Sequence, residues 1–184
     1  MDKSLNVDIQ MAEDFFSRLD PTATELTFQS FDDSPRKSTA KAKVLHGTLD
    51  QHADELIRLN NCGAGIFVMV NRGNGVIHEG KKTCRTNENV ITVRALFADA
   101  DGTPIGPILE KCPPPHILVE SSPDKWHIYW LTNDTKLEEF KPRQQAIANA
   151  LDTDPSVNDL ARVLRVPGFY HQKHEPFMTR LVSI

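Results

Sequence analysis

The sequence has little cysteine and no long apolar run. Its three cysteines, Cys62, Cys84 and Cys112, are too few and too scattered for a disulfide framework, and none belongs to a Cys-x-x-Cys pair. The most apolar stretch, residues 63–70, is far shorter than the roughly 20 residues that span a bilayer. The first eight residues lack the apolar segment of a signal peptide. We therefore expect a soluble, cytoplasmic protein with reduced thiols and no membrane association.

Several site motifs are also missing. The chain has no Gly-x-x-x-x-Gly-Lys-Ser/Thr phosphate loop, which excludes an ATPase of that kind. It has no His-hydrophobic-His pair of the type that replication nicking enzymes use. Cys112 and His116 flank three prolines, but no companion pair stands at zinc-finger spacing, so we interpret this segment as a connection.

Charge is distributed unevenly along the chain. The formal net charge is -4, which argues against a general nucleic-acid binder, and residues 1–60 hold 11 acidic and 7 basic residues. The remainder holds 14 of each, and its last part carries two histidines and four basic residues against a single Glu175: Arg162, Arg165, His171, Lys173, His174 and Arg180. This basic segment is either a solvated face or a phosphate-binding surface.

The periodicity of apolar residues predicts a mixture of helices and strands in one domain of 184 residues. Helices are expected over residues 12–19, 49–59 with Thr48 as N-cap, and 137–151. Strands are expected over residues 24–31, 66–70, 93–100, 116–121 and 126–131. A short helix is predicted over residues 160–164, ended by Pro167-Gly168. Residues 71–89 form a long polar loop, and a loop of that length is often functional. The alternation of elements indicates an α+β or mixed α/β fold.

Two carboxylates stand out in the strand predicted over residues 93–100 and just beyond it. A period of two sends Leu96, Ala98 and Ala100 to one face of the strand and Asp99 and Asp101 to the other. Like charges about 6 to 7 Å apart repel each other unless a cation bridges them, and paired carboxylate oxygens are ligands that Mg²⁺ or Mn²⁺ prefers. The pair therefore predicts a divalent-metal centre.

Two other interpretations of this pair remain open at the level of the motif. Asp101-Gly102 is a strong hairpin-turn dipeptide between two predicted strands, although a turn leaves Asp99 unexplained. A calcium-binding EF-hand loop from Asp99 would place Glu110 at its twelfth position. However, Pro104 stands where that loop requires glycine, and a strand precedes it instead of a helix.

Two further groups of polar residues could bind phosphates. Ser122, Lys125 and His127 lie where a turn opens into a strand, and together they offer a hydroxyl, an ammonium and an imidazole. Asp159 is either a third metal ligand or only the N-cap of the short predicted helix. On that helix Arg162 and Arg165 would share one face, where they either bind phosphates or remain solvated.

Taken together, three segments resemble the motifs of the archaeo-eukaryotic primase superfamily in their order along the chain. They are RALFADADG at 94–102, ESSPDKWH at 120–127 and DLARVLRVPGFYHQK at 159–173. Within that superfamily the chain is most similar to the RepB-type primase-polymerases of plasmids, phages and integrated elements. The likeness covers residues from about 60 to the C-terminus.

The resemblance implies a fold, a chemistry and a set of site residues. The fold would be α+β, with an antiparallel sheet of RNA-recognition-motif type packed against an N-terminal α/β unit of about residues 1–60, in a single catalytic domain. Asp99, Asp101 and Asp159 would be the catalytic residues and would hold two Mg²⁺ or Mn²⁺ ions for nucleotidyl transfer. The residues implied in nucleotide or primer binding are Ser122, Lys125, His127, Arg162, Arg165, His171 and Lys173.

The same resemblance implies partners. It implies a DNA primase or primase-polymerase that uses nucleoside triphosphates on a single-stranded DNA template during replication of a mobile element. A replicative helicase or an appended helical domain would assist it. Two alternatives remain, namely a non-catalytic nucleic-acid-binding domain of the same fold and an Asp-x-Asp glycosyltransferase that uses a sugar nucleotide. Three carboxylates facing phosphates argue against the first, and the basic third motif argues against the second.

Overall fold

The computed structural model describes residues 5–183. Within this range the chain forms four α-helices and two four-stranded antiparallel sheets, with two short two-stranded ribbons. The helices are α1 (Ile9–Leu19), α2 (Leu49–Asn61), α3 (Ile105–Lys111) and α4 (Leu137–Leu151). The twelve strands are β1 (Leu26–Asp32), β2 (Lys43–Gly47), β3 (Ala64–Met69), β4 (Arg72–Gly73), β5 (Val90–Thr92), β6 (Ala95–Asp101), β7 (Ile117–Ser122), β8 (Lys125–Leu131), β9 (Val163–Arg165), β10 (Tyr170–His171), β11 (Phe177–Met178) and β12 (Arg180–Val182). The predicted α+β fold is confirmed.

The first sheet has the strand order β2-β1-β3-β9. Along β1 and β3 the side chains alternate between two faces, so that Phe28, Ile66 and Val68 point into the core. Gln29, Phe31 and Phe67 stand on the opposite face. This sheet draws its strands from both sides of residue 60, because β3 and β9 follow that position.

The second sheet has the order β12-β7-β8-β6, which leaves β6 at an edge. Its unpaired backbone is covered by α4, because the buried Gln144 side chain accepts a hydrogen bond from Phe97 N (3.2 Å) and donates one to Phe97 O. The side-chain amide thus replaces part of a neighbouring strand and fixes the edge strand in place.

The two sheets share one hydrophobic core. Phe28 of the first sheet and Tyr129 of the second pack in the same cluster as Phe15 and Phe16 of α1. A second cluster on the other face of the second sheet joins Ile128 to α3 and α4. Burial of these apolar surfaces is the main stabilising contribution to the fold.

Helix α2 begins where its predicted N-cap, Thr48, places it, whereas α1 begins three residues before its predicted start. Thr48 Oγ1 accepts a hydrogen bond from Gln51 N at 3.1 Å, and Gln51 Oε1 accepts one from Thr48 N at 2.9 Å, which forms a complete capping box for α2. Helix α4 spans residues 137–151, as predicted. The five predicted strands are all present, and among the described residues no helix is long and apolar enough to cross a membrane.

The predicted short helix over residues 160–164 is wrong. Residues 163–165 form β9, which pairs with β3 in the register Met69↔Val163 and Phe67↔Arg165. Val-Leu-Arg suits a strand as well as a helix, and here the long-range pairing with a buried strand decides. Arg162 and Arg165 therefore do not share a helical face, and Asp159 is not a helix N-cap.

The hairpin interpretation of Asp101-Gly102 is also wrong. Strand β6 pairs with β8 and not with the next strand, and the segment after Gly102 forms α3, which the sequence analysis did not predict. The connection crosses to β7 in the interior of the sheet. A turn thus does not explain the two aspartates.

Candidate active site

A cavity of about 690 Å³ is lined by residues of both sheets. All ten residues that the sequence analysis singled out reach its wall, although they come from three separate segments of the chain. They are Asp99, Asp101, Ser122, Lys125, His127, Asp159, Arg162, Arg165, His171 and Lys173. Such a convergence of charged groups in one concavity is typical of a catalytic or binding site.

Asp99 and Asp101 reach the cavity because of their place at the end of β6. The alternating face that carries them begins with Ala95 and Phe97, both of which are fully buried in the shared core. The last two residues of this face extend past the core, so their carboxylates meet the cavity instead of apolar side chains. Edge pairing to Gln144 holds this strand in position.

Strand β8 places a cationic or neutral nitrogen opposite each carboxylate. Asp99 is paired with His127 and Asp101 with Lys125 in the antiparallel register. Lys125 Nζ lies 2.5 Å from Asp101 Oδ1, and His127 Nε2 lies 3.8 Å from Asp99 Oδ1. Burial lowers the pKa of His127, and the Asp99 carboxylate opposes this shift.

Ser122 is placed by the tight turn between β7 and β8. Asp124 adopts a left-handed conformation (φ 60°) after Pro123, and the register of the two strands shifts between Glu120 and Ser122. A local irregularity of this type redirects side chains next to functional sites. The buried Ser122 consequently lines the cavity beside Lys125.

Asp159 lies in the turn before β9, and the polar loop of residues 71–89 holds that turn. Asn71 Nδ2 donates to Leu160 O (3.0 Å), and Asn87 Oδ1 accepts from Ala161 N (3.0 Å). Asn71 Oδ1 also accepts from the backbone N–H of Arg94, which immediately precedes β6 (3.1 Å). The buried Asn71 therefore ties the segment of the third carboxylate to the strand of the first two.

Arg162 forms an ion pair with Asp159, with 2.6 Å between Nη2 and Oδ1. Its Nη2 also donates to Ser156 O at 2.8 Å. Asp99, Asp101 and Asp159 thus each face a nitrogen-bearing side chain, namely His127, Lys125 and Arg162.

Arg165 is buried and held by a residue that the sequence analysis did not identify. Its Nη1 and Nη2 donate to the two carboxylate oxygens of Asp33 at 2.9 and 2.8 Å, and its guanidinium lies 4.6 Å from the centre of the Phe67 ring. Gly65 leaves the space for this pair, because a Cβ at that position would collide with both side chains. Arg165 lines the cavity, but both of its Nη atoms already donate hydrogen bonds to Asp33.

His171 lines the cavity as a neutral ring. Its Nδ1 lies 3.2 Å from Ser121 O, and a carbonyl only accepts, so Nδ1 carries the proton and Nε2 is an acceptor. Burial, together with the nearby Arg165, lowers the pKa of His171 to about 4. His171 therefore offers an acceptor near neutral pH, and Lys173 offers charge.

The donor set of the cavity suits a hard divalent cation in its chemistry but not in the present spacing of its side chains. Asp99, Asp101 and Asp159 supply only carboxylate oxygens, which Mg²⁺ and Mn²⁺ prefer over nitrogen or sulfur. Within residues 5–183, no group of three or more Asp, Glu, His or Cys side chains stands close enough to hold an ion. The Asp101 and Asp159 side chains would have to turn away from Lys125 and Arg162 to do so.

The cavity also contains residues that the sequence analysis did not assign to the site. Phe31, Phe67, Arg85 and His174 line it, and Asp33 lies beneath it. His174 belongs to the basic segment near the C-terminus, and the only sequence signal for Arg85 was the length and polarity of the loop that carries it. Phe31 and Asp33 gave no signal, since they belong to an ordinary strand and the turn after it.

Comparison with known proteins agrees with the three motifs. Residues 95–181 match the family described as the RepB DNA-primase N-terminal domain, and this range contains all ten predicted site residues. No curated protein matches the chain.

Solved structures with the same fold are also known. The chain superimposes on the AEP domain of the primase-polymerase of cyanophage S-2L with a TM-score of 0.73 and 16% identity, over 97% of this chain and 91% of that one. It is similar to primase RepB′ (TM-score 0.66, 15% identity, 95% of this chain and 56% of that one). A third match is the catalytic domain of primase RepB′ in complex with initiator DNA (TM-score 0.65, 16% identity, 95% and 84%). At these identities the likeness establishes the fold.

Proposed function

We propose that the protein is a metal-dependent primase-polymerase that joins nucleotides on a single-stranded DNA template, and the match of residues 95–181 to the RepB DNA-primase N-terminal domain supports this. The observation that carries the proposal is the convergence on one cavity of Asp99, Asp101 and Asp159 with hydroxyl-bearing and cationic side chains. These come from segments that lie far apart in the sequence.

Asp99, Asp101 and Asp159 are proposed to hold the divalent ions. Their carboxylates line one cavity, and Gln144 and Asn71 fix the backbone segments that carry them. Two bound Mg²⁺ or Mn²⁺ ions would stabilise the attacking and leaving oxygens of an in-line displacement at the α-phosphate of the nucleotide.

The side chains around the carboxylates are proposed to bind the nucleotide triphosphate. Ser122 offers a hydroxyl, and Lys125, Arg162 and Lys173 offer positive charge at the same cavity. Lys125 and Arg162 are paired with carboxylates, so a cation that replaces them at Asp101 and Asp159 would free both for phosphate oxygens. His127 lies directly opposite Asp99, where it donates or accepts a hydrogen bond without a formal charge.

Single-stranded DNA and nucleoside triphosphates are the proposed partners, and the proposed role is primer synthesis during replication of a mobile element. The similarity to primase RepB′, whose catalytic domain is known in complex with initiator DNA, supports a DNA ligand. The similarity to a primase-polymerase of a cyanophage supports a mobile replicon. A helicase or an appended helical domain stays a prediction from the sequence resemblance.

The experiment that tests this function is nucleotide incorporation on single-stranded templates. The purified chain would be incubated with Mg²⁺ or Mn²⁺, a labelled nucleotide set and a template, with and without an annealed primer. We expect metal-dependent extension by the wild type and its loss, by a factor of about 10² or more, in Asp99→Asn and Asp101→Asn, because each removes charge from the metal ligands.

Two controls make the result interpretable. Glu139→Gln changes an exposed carboxylate on α4, outside the cavity, and is expected to extend like the wild type. Near-wild-type extension by Asp99→Asn would contradict the metal assignment. DNA binding without any extension under any nucleotide or metal condition would favour a non-catalytic binding domain.

A further inference from the structure

The outer face of the first sheet carries two aromatic rings that belong to neither hydrophobic cluster. Phe31 lies on β1 and Phe67 on β3, and their ring centres are 5.3 Å apart in an edge-on arrangement. Both line the cavity of the three carboxylates. Phe31 is 36% exposed, which makes it one of the few large apolar residues on the described surface.

A guanidinium lies against each of these rings. Arg85 Cζ is 5.9 Å from the centre of the Phe31 ring, and Arg165 Cζ is 4.6 Å from the centre of the Phe67 ring. Arg85 Nε donates to Gln29 Oε1 at 2.9 Å, so the long polar loop is anchored across this face. Contacts at these distances are within the range of cation–π attraction.

Arg85 also connects this face with the third carboxylate. Its Nη1 lies 3.4 Å from Ala161 O, in the turn that carries Asp159. Burial lowers the pKa of Arg85 and the nearby Asp159 carboxylate opposes that shift. The aromatic pair and the turn that carries Asp159 are thus neighbours, with the Arg85 guanidinium between them.

Packing requirements do not explain an exposed ring here. The inner face of the same strand buries Phe28 completely, whereas Phe31 leaves apolar surface beside Arg85 in the wall of a polar cavity. Planar apolar surface next to positive charge is the combination that binds the bases and backbone of single-stranded nucleic acids, because each base has an apolar face and each nucleotide a phosphate.

We propose that Phe31, Phe67 and Arg85 form a stacking shelf for a base of the single-stranded DNA template. This inference rests on the proposed function and adds to it a binding site on the first sheet. Among the phosphate-binding candidates, Ser122, Lys125 and His127 lie on the second sheet, and Arg162 directly precedes β9 of the first sheet. The shelf would hold the template base against β1 and β3, apart from Ser122, Lys125 and His127.

The test compares ring-containing and ring-free variants on DNA with and without bases. Binding of a fluorescein-labelled oligothymidylate, and of an abasic oligonucleotide of equal length, is measured by anisotropy without nucleotide or metal. Phe31→Leu keeps apolar volume and removes the aromatic face, whereas Phe31→Trp keeps an aromatic face. Ile91→Ala removes an exposed apolar side chain outside the cavity and serves as the matched control.

The shelf predicts that Phe31→Leu binds oligothymidylate on the order of 5- to 150-fold more weakly than the wild type, which is the range measured when one stacked base is lost. Phe31→Trp and Ile91→Ala are expected to stay within about twofold of the wild type. The wild type should prefer oligothymidylate to the abasic strand, and Phe31→Leu should lose that preference.

Several outcomes would overturn the shelf while leaving the proposed function intact. One is that Phe31→Leu and the wild type bind oligothymidylate with equal affinity. Another is that Phe31→Leu loses as much affinity for the abasic strand as it loses for oligothymidylate. A third is an unchanged DNA affinity of Phe31→Leu together with a raised KM for the nucleotide in the incorporation assay of the proposed function, which would assign the ring to the incoming base. A wild-type chain that binds no single-stranded DNA would instead contradict the proposed function itself.

Discussion

Replacement of Asp33 by alanine is expected to destabilise the protein strongly, although Asp33 lies outside all three sequence motifs. Asp33 and Arg165 are 132 residues apart in the chain, and their side chains are 1% and 7% exposed. The alanine variant removes both hydrogen bonds to the guanidinium and one from Gln172 N (2.9 Å). It leaves a buried guanidinium without its counter-ion.

The expected loss is about 3 to 5 kcal/mol of unfolding free energy, which is the usual result when one partner of a buried ion pair is removed. A domain of ordinary stability has only about 5 to 15 kcal/mol, so this variant approaches the limit of folding. The exposed pair of Glu139 and Arg143 on α4 is the matched comparison, and Glu139→Ala is expected to cost less than about 1 kcal/mol.

Urea unfolding followed by circular dichroism measures these differences as shifts of the midpoint. The double variant Asp33→Ala, Arg165→Met is expected to recover part of the loss, because an apolar replacement removes the uncompensated charge as well. The reasoning is refuted when Asp33→Ala unfolds within about 1 kcal/mol of the wild type, since Arg165 would then not depend on its buried partner.

Three further predictions concern single side chains. Tyr129→Phe is expected to be as stable as the wild type or up to about 2 kcal/mol more stable in urea, because the buried Tyr129 hydroxyl has no hydrogen-bond partner among residues 5–183; a clear loss would contradict this. Because the pKa of His171 is lowered to about 4 in the folded protein, the unfolded chain binds its proton more readily, and stability falls as the pH drops from about 6.5 to about 4. His171→Gln should therefore lose less stability than the wild type over that pH range. If the urea midpoints of the two proteins change identically with pH, this prediction is wrong. Asn71→Ala is expected to cost about 1 to 3 kcal/mol of unfolding free energy, because it removes the hydrogen bonds to Leu160 O and Arg94 N. It should also lower nucleotide incorporation more than Glu139→Ala does, since the turn that carries Asp159 is no longer held. Full activity of Asn71→Ala would contradict this.

The sequence predicts those elements whose signals are local. The capping box of α2 and the apolar periodicity of α4 identify helices because the residues involved lie within one or two turns of one another. Strand β9 has no such local signal, because its pairing partner β3 lies far away in the chain. Helix α3 was not predicted because Gly106 and Pro107 stand in its first turn, where proline is tolerated but does not indicate a helix.

The residues of the candidate site likewise differ in whether a local sequence signal identifies them. Strand periodicity places Asp99 and Asp101 on one face, and the structure confirms this geometry. Asp159 entered the site through family resemblance, because its local sequence suited a helix cap equally well. Asp33 and Phe31 could not be predicted, since their importance comes from contacts with Arg165 and Arg85 that only the folded chain creates.

The number of Mn²⁺ ions that bind at the cavity tests the central claim most directly. Electron paramagnetic resonance would count the ions bound in the presence of a non-hydrolysable nucleoside triphosphate, for the wild type and for Asp99→Asn, Asp101→Asn and Asp159→Asn. We expect two ions in the wild type and fewer in each variant, with the fold shown to be preserved by circular dichroism. Undiminished Mn²⁺ binding in any of the three variants would contradict the assignment of that residue as a metal ligand.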